Sequence, residues 1–255
     1  IVVDADPERS ELLVAPVSDQ GHAPQWVGEL PPTPAEVARE SGRLRRLFAI
    51  DLGLMKDEEV NQIDPAGLLM GSSTIDEYPL NGEAKGILAD IVSTHFSSAQ
   101  MIPSDRLITI EERSDALVIN SCQGNRINEA LGHYLLAMAS TRSGRWGRLI
   151  VEPCRISLQV GGVTPREIIE WLSETPAEAL EGVLSVTLPN SREVRWRFAQ
   201  IAKIFGILRH GVDPRKINIQ ALLKKYRGTP VMNEVLSKLF HERMDVLGAS
   251  DIMRA

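Results

Sequence analysis

Cysteine is scarce. The 255 residues hold only Cys122 and Cys154, too few for a disulfide scaffold and in keeping with a reducing cytoplasm. Long apolar runs are missing too. Stretches such as 116–119 and 134–139 fall well short of the ~18–20 residues a membrane span needs, so no membrane partner is expected. Aromatics make up only 5% of the chain. The low hydrophobicity and high net charge of a disordered chain are also absent. The 43% hydrophobic and 24% charged content, with a net charge of −6, is that of an ordinary globular protein. At ~100–200 residues per domain, one large or two modest domains are expected.

Common catalytic signatures are missing as well. There is no Walker A sequence, no Gly-x-Gly-x-x-Gly after a strand, no Gly-x-Ser-x-Gly, no His-Glu-x-x-His and no Cys-x-x-Cys. His95 and His133 fall among apolar neighbours in predicted helices and read as core or interface residues. Cys122 and Cys154 lie beside strands and read as small buried hydrophobes. The acidic run 57–59 reads as solvated loop charge. No metal or cofactor site is expected in this chain.

What is present is a charge asymmetry. Residues 1–190 carry 15 Lys and Arg against 28 Asp and Glu, a net of −13; residues 191–255 carry 13 against 6, a net of +7. Either the two parts attract each other, or the second presents a basic surface of the kind a polyphosphate backbone binds.

The patterning predicts an α+β chain: a β-rich N-terminal segment, an antiparallel sheet packed with helices, and an all-helical C-terminal tail. An opening hairpin (to 17, turning at 7–10) and a Gly/Pro-rich loop fill 1–32. The core, 33–162, begins with a helix at Thr33-Pro34-Ala35-Glu36, where a hydroxyl, a proline and a glutamate stand at cap, first and third positions. The same Thr-Pro-x-Glu string recurs at 164 and 175. A helix over 80–100 carries Ile87, Leu88, Ile91, Val92, His95 and Phe96 at helical spacing. Strands at 106–111 and 116–121, a helix over 125–141, and strands at 149–152 and 155–160 complete the core. From 163 onward only helices are predicted, at 164–173, 175–182, 190–208, 218–226 and 229–246. A chain that opens inside a hairpin reads as part of something longer.

Four features carry possible chemistry. Trp26 sits in a Gly/Pro-rich loop, where an indole either stacks on a nucleobase or plugs a gap beside the hairpin. At 121–129 a strand ends, Gly124 turns the chain and a helix begins. Its free N–H groups could hold a phosphate with Arg126 and Asn128 adding donors, or Asn125 simply caps it with Glu129 in the first turn. The run Arg142-Ser-Gly-Arg145-Trp146-Gly-Arg148 can track a phosphate backbone or complement a helix dipole. In the basic tail, Arg192, Arg195 and Arg197 flank Trp196, and Lys224 and Lys225 lie on another helix. They read as nucleic-acid contacts, or as a solvated face with Trp196 in the core.

These segments resemble a known family. The stretches Gly124-Asn125-Arg126-Ile127-Asn128-Glu129-Ala130-Leu131 and Glu152-Pro153-Cys154-Arg155-Ile156 are similar to the DEAD/H-associated domain found downstream of the motor in Lhr-type (large helicase-related) superfamily-two helicases. Family members tend to show Gly-x-x-Val-Asn-x-x-Leu and Asp-Pro-Tyr-Arg-Ile there. The segments 2–16 and 24–29 resemble the β-rich piece that joins a winged-helix module to this domain. Asn120-Ser121-Cys122-Gln123 and Cys154 depart from the family pattern. The resemblance implies an ATP-dependent 3′-to-5′ helicase whose RecA-like and winged-helix domains lie upstream. ATP and Mg²⁺ would be held in that motor, and Trp26 would stack on a base of the tracked single strand. The rival expectations are a scaffold that docks on the motor without touching nucleic acid, and a stand-alone enzyme with a polar pocket near 124–129.

Overall fold

The computed structural model describes residues 2–6, 9, 11–15, 31–55, 75, 78–114, 116–209 and 217–254. The loop that holds Trp26 and the acidic run 57–59 lie outside them. Contacts gather the chain into two units, 1–31 with 181–243 and 32–180 with 244–255. This differs from a cut at 162, because residues 163–180 and the last helix pack with the core.

The larger unit is built on a four-stranded antiparallel sheet. β3 (Thr109–Glu112) and β4 (Leu117–Asn120) form one hairpin, β5 (Arg148–Glu152) and β6 (Arg155–Gln159) another, and β4 pairs with β6 to give the order β3-β4-β6-β5. Alternation sets which face is apolar. Leu117 pairs with Leu158 and Ile119 with Ile156, and all four are buried. Between the hairpins, α3 (Gly124–Ser143) packs on β5 and β6. Its Ile127, Leu131, Tyr134 and Leu135 are buried. Each such side chain contributes about 1.5–3 kcal/mol by leaving water. Gly132 allows the approach: a Cβ there would lie 2.9 Å from Leu149 Cδ1 and 3.2 Å from Ile156 Cγ2.

Two helices precede the sheet. α1 (Ala35–Asp51) ends as expected at Gly53, which takes a left-handed φ of +68°. Its start differs from expectation. Pro34 occupies the cap position with no side-chain hydrogen bond, because Thr33 is engaged elsewhere. α2 (Gly82–Ala99) is capped by the Asn81 side chain, which accepts from Ala84 N. Only one line of its apolar stripe is covered. Val92 is buried, and Leu88 and Phe96 join it against the α1 cluster around Leu47 and Phe48. Ile87 and Ile91 stay 55% exposed. Arg46 of α1 holds Asp105 with two 2.8 Å hydrogen bonds, tying the helix to the segment before β3.

α4 (Pro165–Glu174) follows the sheet with the full capping box that the sequence predicts. The Glu167 carboxylate accepts from Thr164 N at 2.9 Å and from its hydroxyl at 3.0 Å, and also from Arg142 Nε at 3.1 Å. Hydrogen bonds from the Thr164 backbone, then from its side chain and from Arg142, hold this carboxyl below its usual value of 4.5. A carboxyl depressed in the folded state contributes stability above its unfolded value and loses it as pH falls through the folded one. Thr164→Ala removes the cap hydroxyl and should cost about 1 kcal/mol in urea denaturation at pH 7. Glu167→Gln should also destabilise at pH 7, by a margin that closes as the pH drops below 4.5; a margin independent of pH would refute the assignment.

The string at 175 behaves differently. Thr175 ends α4, its hydroxyl is paired with Tyr134 Oη, and a 3-10 turn at Ala177–Ala179 takes the place of a helix start. The predicted helix 229–246 forms as α8 (Pro230–Arg243), and a further helix that the patterning does not predict, α9 (Val246–Arg254), follows it. Asp245 divides them. Its N–H donates to Arg126 O at 3.0 Å and its carboxylate accepts from Gly248 N at 2.9 Å. α9 packs on α3 and α4.

The smaller unit contains the hairpin of β1 (Val2–Asp6) and β2 (Glu11–Val14), together with α5 (Leu180–Thr187), α6 (Arg192–Ile204), α7 (Ile219–Lys225) and α8. α6 packs on α7 and α8. Its buried line is Val194, Arg197, Phe198, Ile201 and Ala202, at the spacing of one helix face.

Candidate nucleic-acid interface

The helix start at Gly124 is closed by the chain itself. Gly124 N donates to Pro153 O at 2.9 Å and Asn125 N to Thr33 O at 3.2 Å. Asn125 Oδ1 does not cap its own helix; it accepts from Thr33 N at 2.8 Å. The first two N–H groups of α3 are therefore not open to a phosphate. Asn128 is 0% exposed. Its amide nitrogen donates to Ser121 O (2.9 Å), Glu152 O (3.0 Å) and Pro153 O (3.1 Å). It fastens the end of β4 to the β5–β6 turn, and a nucleic-acid contact would require this junction to open. Arg126 is exposed but turns toward α9, where Nη2 donates to Met244 O at 3.2 Å.

The loop between α3 and β5 is arranged differently. Gly144 ends the helix with a φ of +65°. Beyond it Trp146 stands 89% exposed. Arg145 and Arg148 on either side of it are exposed as well. Gly147 anchors the loop, since a Cβ there would strike Leu136 Cδ1 at 2.8 Å and Val160 Cβ at 2.9 Å. Arg142 is exposed but partly engaged by Glu167. An uncovered indole between cations offers a stacking face and two phosphate partners.

In the smaller unit the expected positions of two neighbours are exchanged. Trp196 is 57% exposed rather than in the core. Arg197 lies inward, ion-paired with Glu242 of α8, and its guanidinium carbon sits 5.4 Å from the Trp196 ring centroid. The cause is helical phase: Val194, Phe198 and Ile201 set the buried face, and position 197 falls on it while 196 does not. Arg195, Lys224 and Lys225 are exposed, and Lys225 Nζ is 5.5 Å from the Tyr226 ring centroid. Trp26 lies outside the described residues.

An apolar pocket of about 270 Å³ lies in the larger unit between the sheet, α3, α4 and α9, lined by residues such as Ile119, Leu135, Ile156 and Ile252. Its lining includes the hydroxyls of Ser121 and Ser173 and no ionisable group, which does not fit the convergent polar pocket of an enzyme. His95 and His133 are each placed beside one carboxylate, at 3.9 Å from Glu111 and 3.5 Å from Glu129. Among the described residues no group of three or more His, Cys, Asp or Glu could hold a metal, and no helix is long and apolar enough to cross a membrane. For Glu111, burial raises the carboxyl pKa, but hydrogen bonds from Arg113 and Asn120 outweigh it and leave the value lowered.

Residues 102–255 match the family model for the DEAD/H associated domain. The chain belongs to the DEAD/H associated family. This DEAD/H associated chain is also 26% identical to the ATP-dependent helicase Lhr-Core of Saccharolobus solfataricus, over 91% of the chain and 27% of that protein. Its fold matches that of helicase Lhr from Mycobacterium smegmatis, in a structure with ssDNA and AMP-PNP bound. The TM-score is 0.64 at 16% identity, over 93% of this chain and 30% of that one. The resemblance carried by Gly124–Leu131 and Glu152–Ile156 is thus supported: the chain is similar to a region of Lhr-type helicases. It spans less than a third of the relatives' length.

Proposed function

We propose that this chain is the strand-gripping region of an ATP-dependent helicase that moves 3′-to-5′ on single-stranded nucleic acid. RecA-like and winged-helix domains elsewhere in the protein supply the motor and hold ATP and Mg²⁺, while this region contacts the tracked strand. The observation that carries the reading is the 26% identity to a named ATP-dependent helicase across 91% of the chain. The ssDNA in the structure of the Mycobacterium smegmatis relative supports the choice of strand. Within the larger unit, Trp146 and its neighbours Arg145 and Arg148 form the exposed stacking and phosphate-binding group. Within the smaller unit, Trp196, Arg195, Lys224 and Lys225 are the corresponding exposed set. Trp26 is the further stacking residue expected from the family resemblance.

The test is made in the full-length protein. Trp146→Ala should weaken single-strand binding by about 5- to 150-fold, the range expected for losing one base stack. Arg145→Glu should weaken it without changing sequence preference. It should also flatten the dependence of log affinity on log salt by roughly 0.7, the change expected when one phosphate is no longer neutralised. Fluorescence anisotropy against salt reads both. Trp26→Ala should reduce unwinding with folding intact. Unchanged binding and unwinding in all three variants would favour a scaffold that docks on the motor.

A further inference from the structure

The two cysteines are neighbours in space. β4 ends at Asn120, which pairs with Arg155 of β6. The chain then runs on beside the β5–β6 turn, with Ser121 N donating to Cys154 O at 3.1 Å. This brings the Cys122 and Cys154 side chains together, each a free thiol and hydrogen-bonded to the other. Arg45 of α1 reaches the same spot. Its Nη1 lies 3.5 Å from Cys122 Sγ, and its guanidinium also hydrogen-bonds the Cys154 sulfur.

The two sulfurs have different surroundings. Cys122 is fully buried, and Cys154 is partly open to solvent. Arg45 places positive charge beside both sulfurs and Arg155 adds to it at Cys154, while Asp105 places negative charge near Cys122. The hydrogen bond from Cys122, then the charge of Arg45, holds the Cys154 thiol below its ordinary value, whereas the bond to Cys154 and burial hold Cys122 above it. A partly exposed sulfur beside a guanidinium, backed by a protonated buried thiol, is the arrangement in which one cysteine reacts and the other resolves.

We propose that Cys122 and Cys154 form a reversible dithiol–disulfide couple oxidised by hydroperoxides, with Cys154 the sulfur that reacts first and Cys122 the resolving thiol. The Cys154 thiolate attacks one peroxide oxygen. The O–O bond breaks, and Cys154 becomes a sulfenic acid as the leaving hydroxide takes up a proton to form water. Cys122 sulfur then attacks Cys154 sulfur. The S–O bond breaks, its oxygen leaves as water with the Cys122 proton, and the S–S bond forms. Two thiols lose two electrons, and hydrogen peroxide is reduced to two waters. The bond links the strand end before α3 to the β5–β6 turn, the same two segments that Asn128 fastens. Neither the strand grip nor its residues enter this chemistry, so the couple stands or falls apart from the proposed function.

The experiment uses the chain reduced, freed of reductant and treated with hydrogen peroxide. Intact mass should fall by two hydrogens, peptide mapping should place a Cys122–Cys154 link, and dithiothreitol should restore the original mass. In Cys122→Ser the sulfenic acid has no resolving partner, so dimedone should add once, at Cys154. In Cys154→Ser the folded chain should show no dimedone adduct at Cys122. Arg45→Gln should slow the oxidation of the wild-type pair several-fold. Oxygen additions without a link, links only between molecules, or reaction first at Cys122 would each overturn the proposal. The mass shift of the unmutated chain decides even where a variant fails to fold.

Discussion

Asn128→Ala should destabilise the chain by about 2–4 kcal/mol, because one truncation takes the amide donor away from the Ser121 and Glu152 carbonyls at ~1–3 kcal/mol for each unsatisfied group, while Pro153 O keeps the Gly124 N–H. Ser121, Glu152 and Pro153 present their oxygens within 3.1 Å of one amide nitrogen. Three carbonyl neighbours also fix which end of the carboxamide is nitrogen, since an oxygen in that place would face three acceptors. Asn128→Asp makes that substitution directly. A carboxylate among carbonyl dipoles at a fully buried position has its pKa raised. The loss of the Asp variant beyond that of Ala should therefore be small below about pH 4 and grow as the pH rises through the unfolded Asp value. Urea denaturation of both variants at pH 7 and pH 3.5 checks this. Asp should be worse than Ala at pH 7 and recover toward it in acid. A loss under 1 kcal/mol for Ala would mean the junction is held by something else.

How far the fold can be read from the sequence depends on the range of the deciding interaction. The four strands of the larger sheet and α3 follow from alternation and helical spacing, which are local. Three copies of Thr-Pro-x-Glu show where local reading stops. At 164 no distant group among the described residues competes for the threonine, and the capping box forms. At 33 the backbone of Thr33 is taken by Asn125, 92 residues away. At 175 the hydroxyl is taken by Tyr134. Identical strings thus give different helix starts because of partners that no window around them contains. The unpredicted helix after Asp245 has the same origin: the Asp245 backbone N–H is held by Arg126 O of α3, and its carboxylate then caps α9.

The candidate site is legible in a similar way. The loop 142–148 stands out in the sequence as cations around a tryptophan between two glycines. The uncovered state of Trp146 depends on no element of its unit facing it, which sequence does not state. Trp196 and Arg197 stand out together, but a one-residue choice of helical phase decides which faces water. Arg126 and Asn128 belong to a recognisable motif, and the motif's glycine and asparagine serve an internal junction whose other members, Thr33 and Pro153, come from distant segments.

Gly124→Ala should be a severely damaging single-methyl change, about 4 kcal/mol or more, a large share of the ~5–15 kcal/mol stability of an ordinary domain. Two costs add. The residue holds a φ of +79°, where an L side chain costs ~1–2 kcal/mol. The new Cβ would lie 2.8 Å from both Ala35 N and Thr33 O. These are backbone atoms at the start of α1, so no side-chain rotation relieves the clash. Relief requires α1 to back away from α3, which breaks the Thr33–Asn125 pair. Gly144→Ala separates the two costs. Gly144 has a similar φ of +65° with nothing within 4 Å of its would-be Cβ, so only the backbone strain of ~1–2 kcal/mol remains. Thermal melts of the two variants side by side should show a modest drop for position 144 and a much larger one, or loss of the cooperative transition, for position 124. Equal drops would mean that the start of α1 yields freely and that the Gly124 crossing does not hold the helices in place.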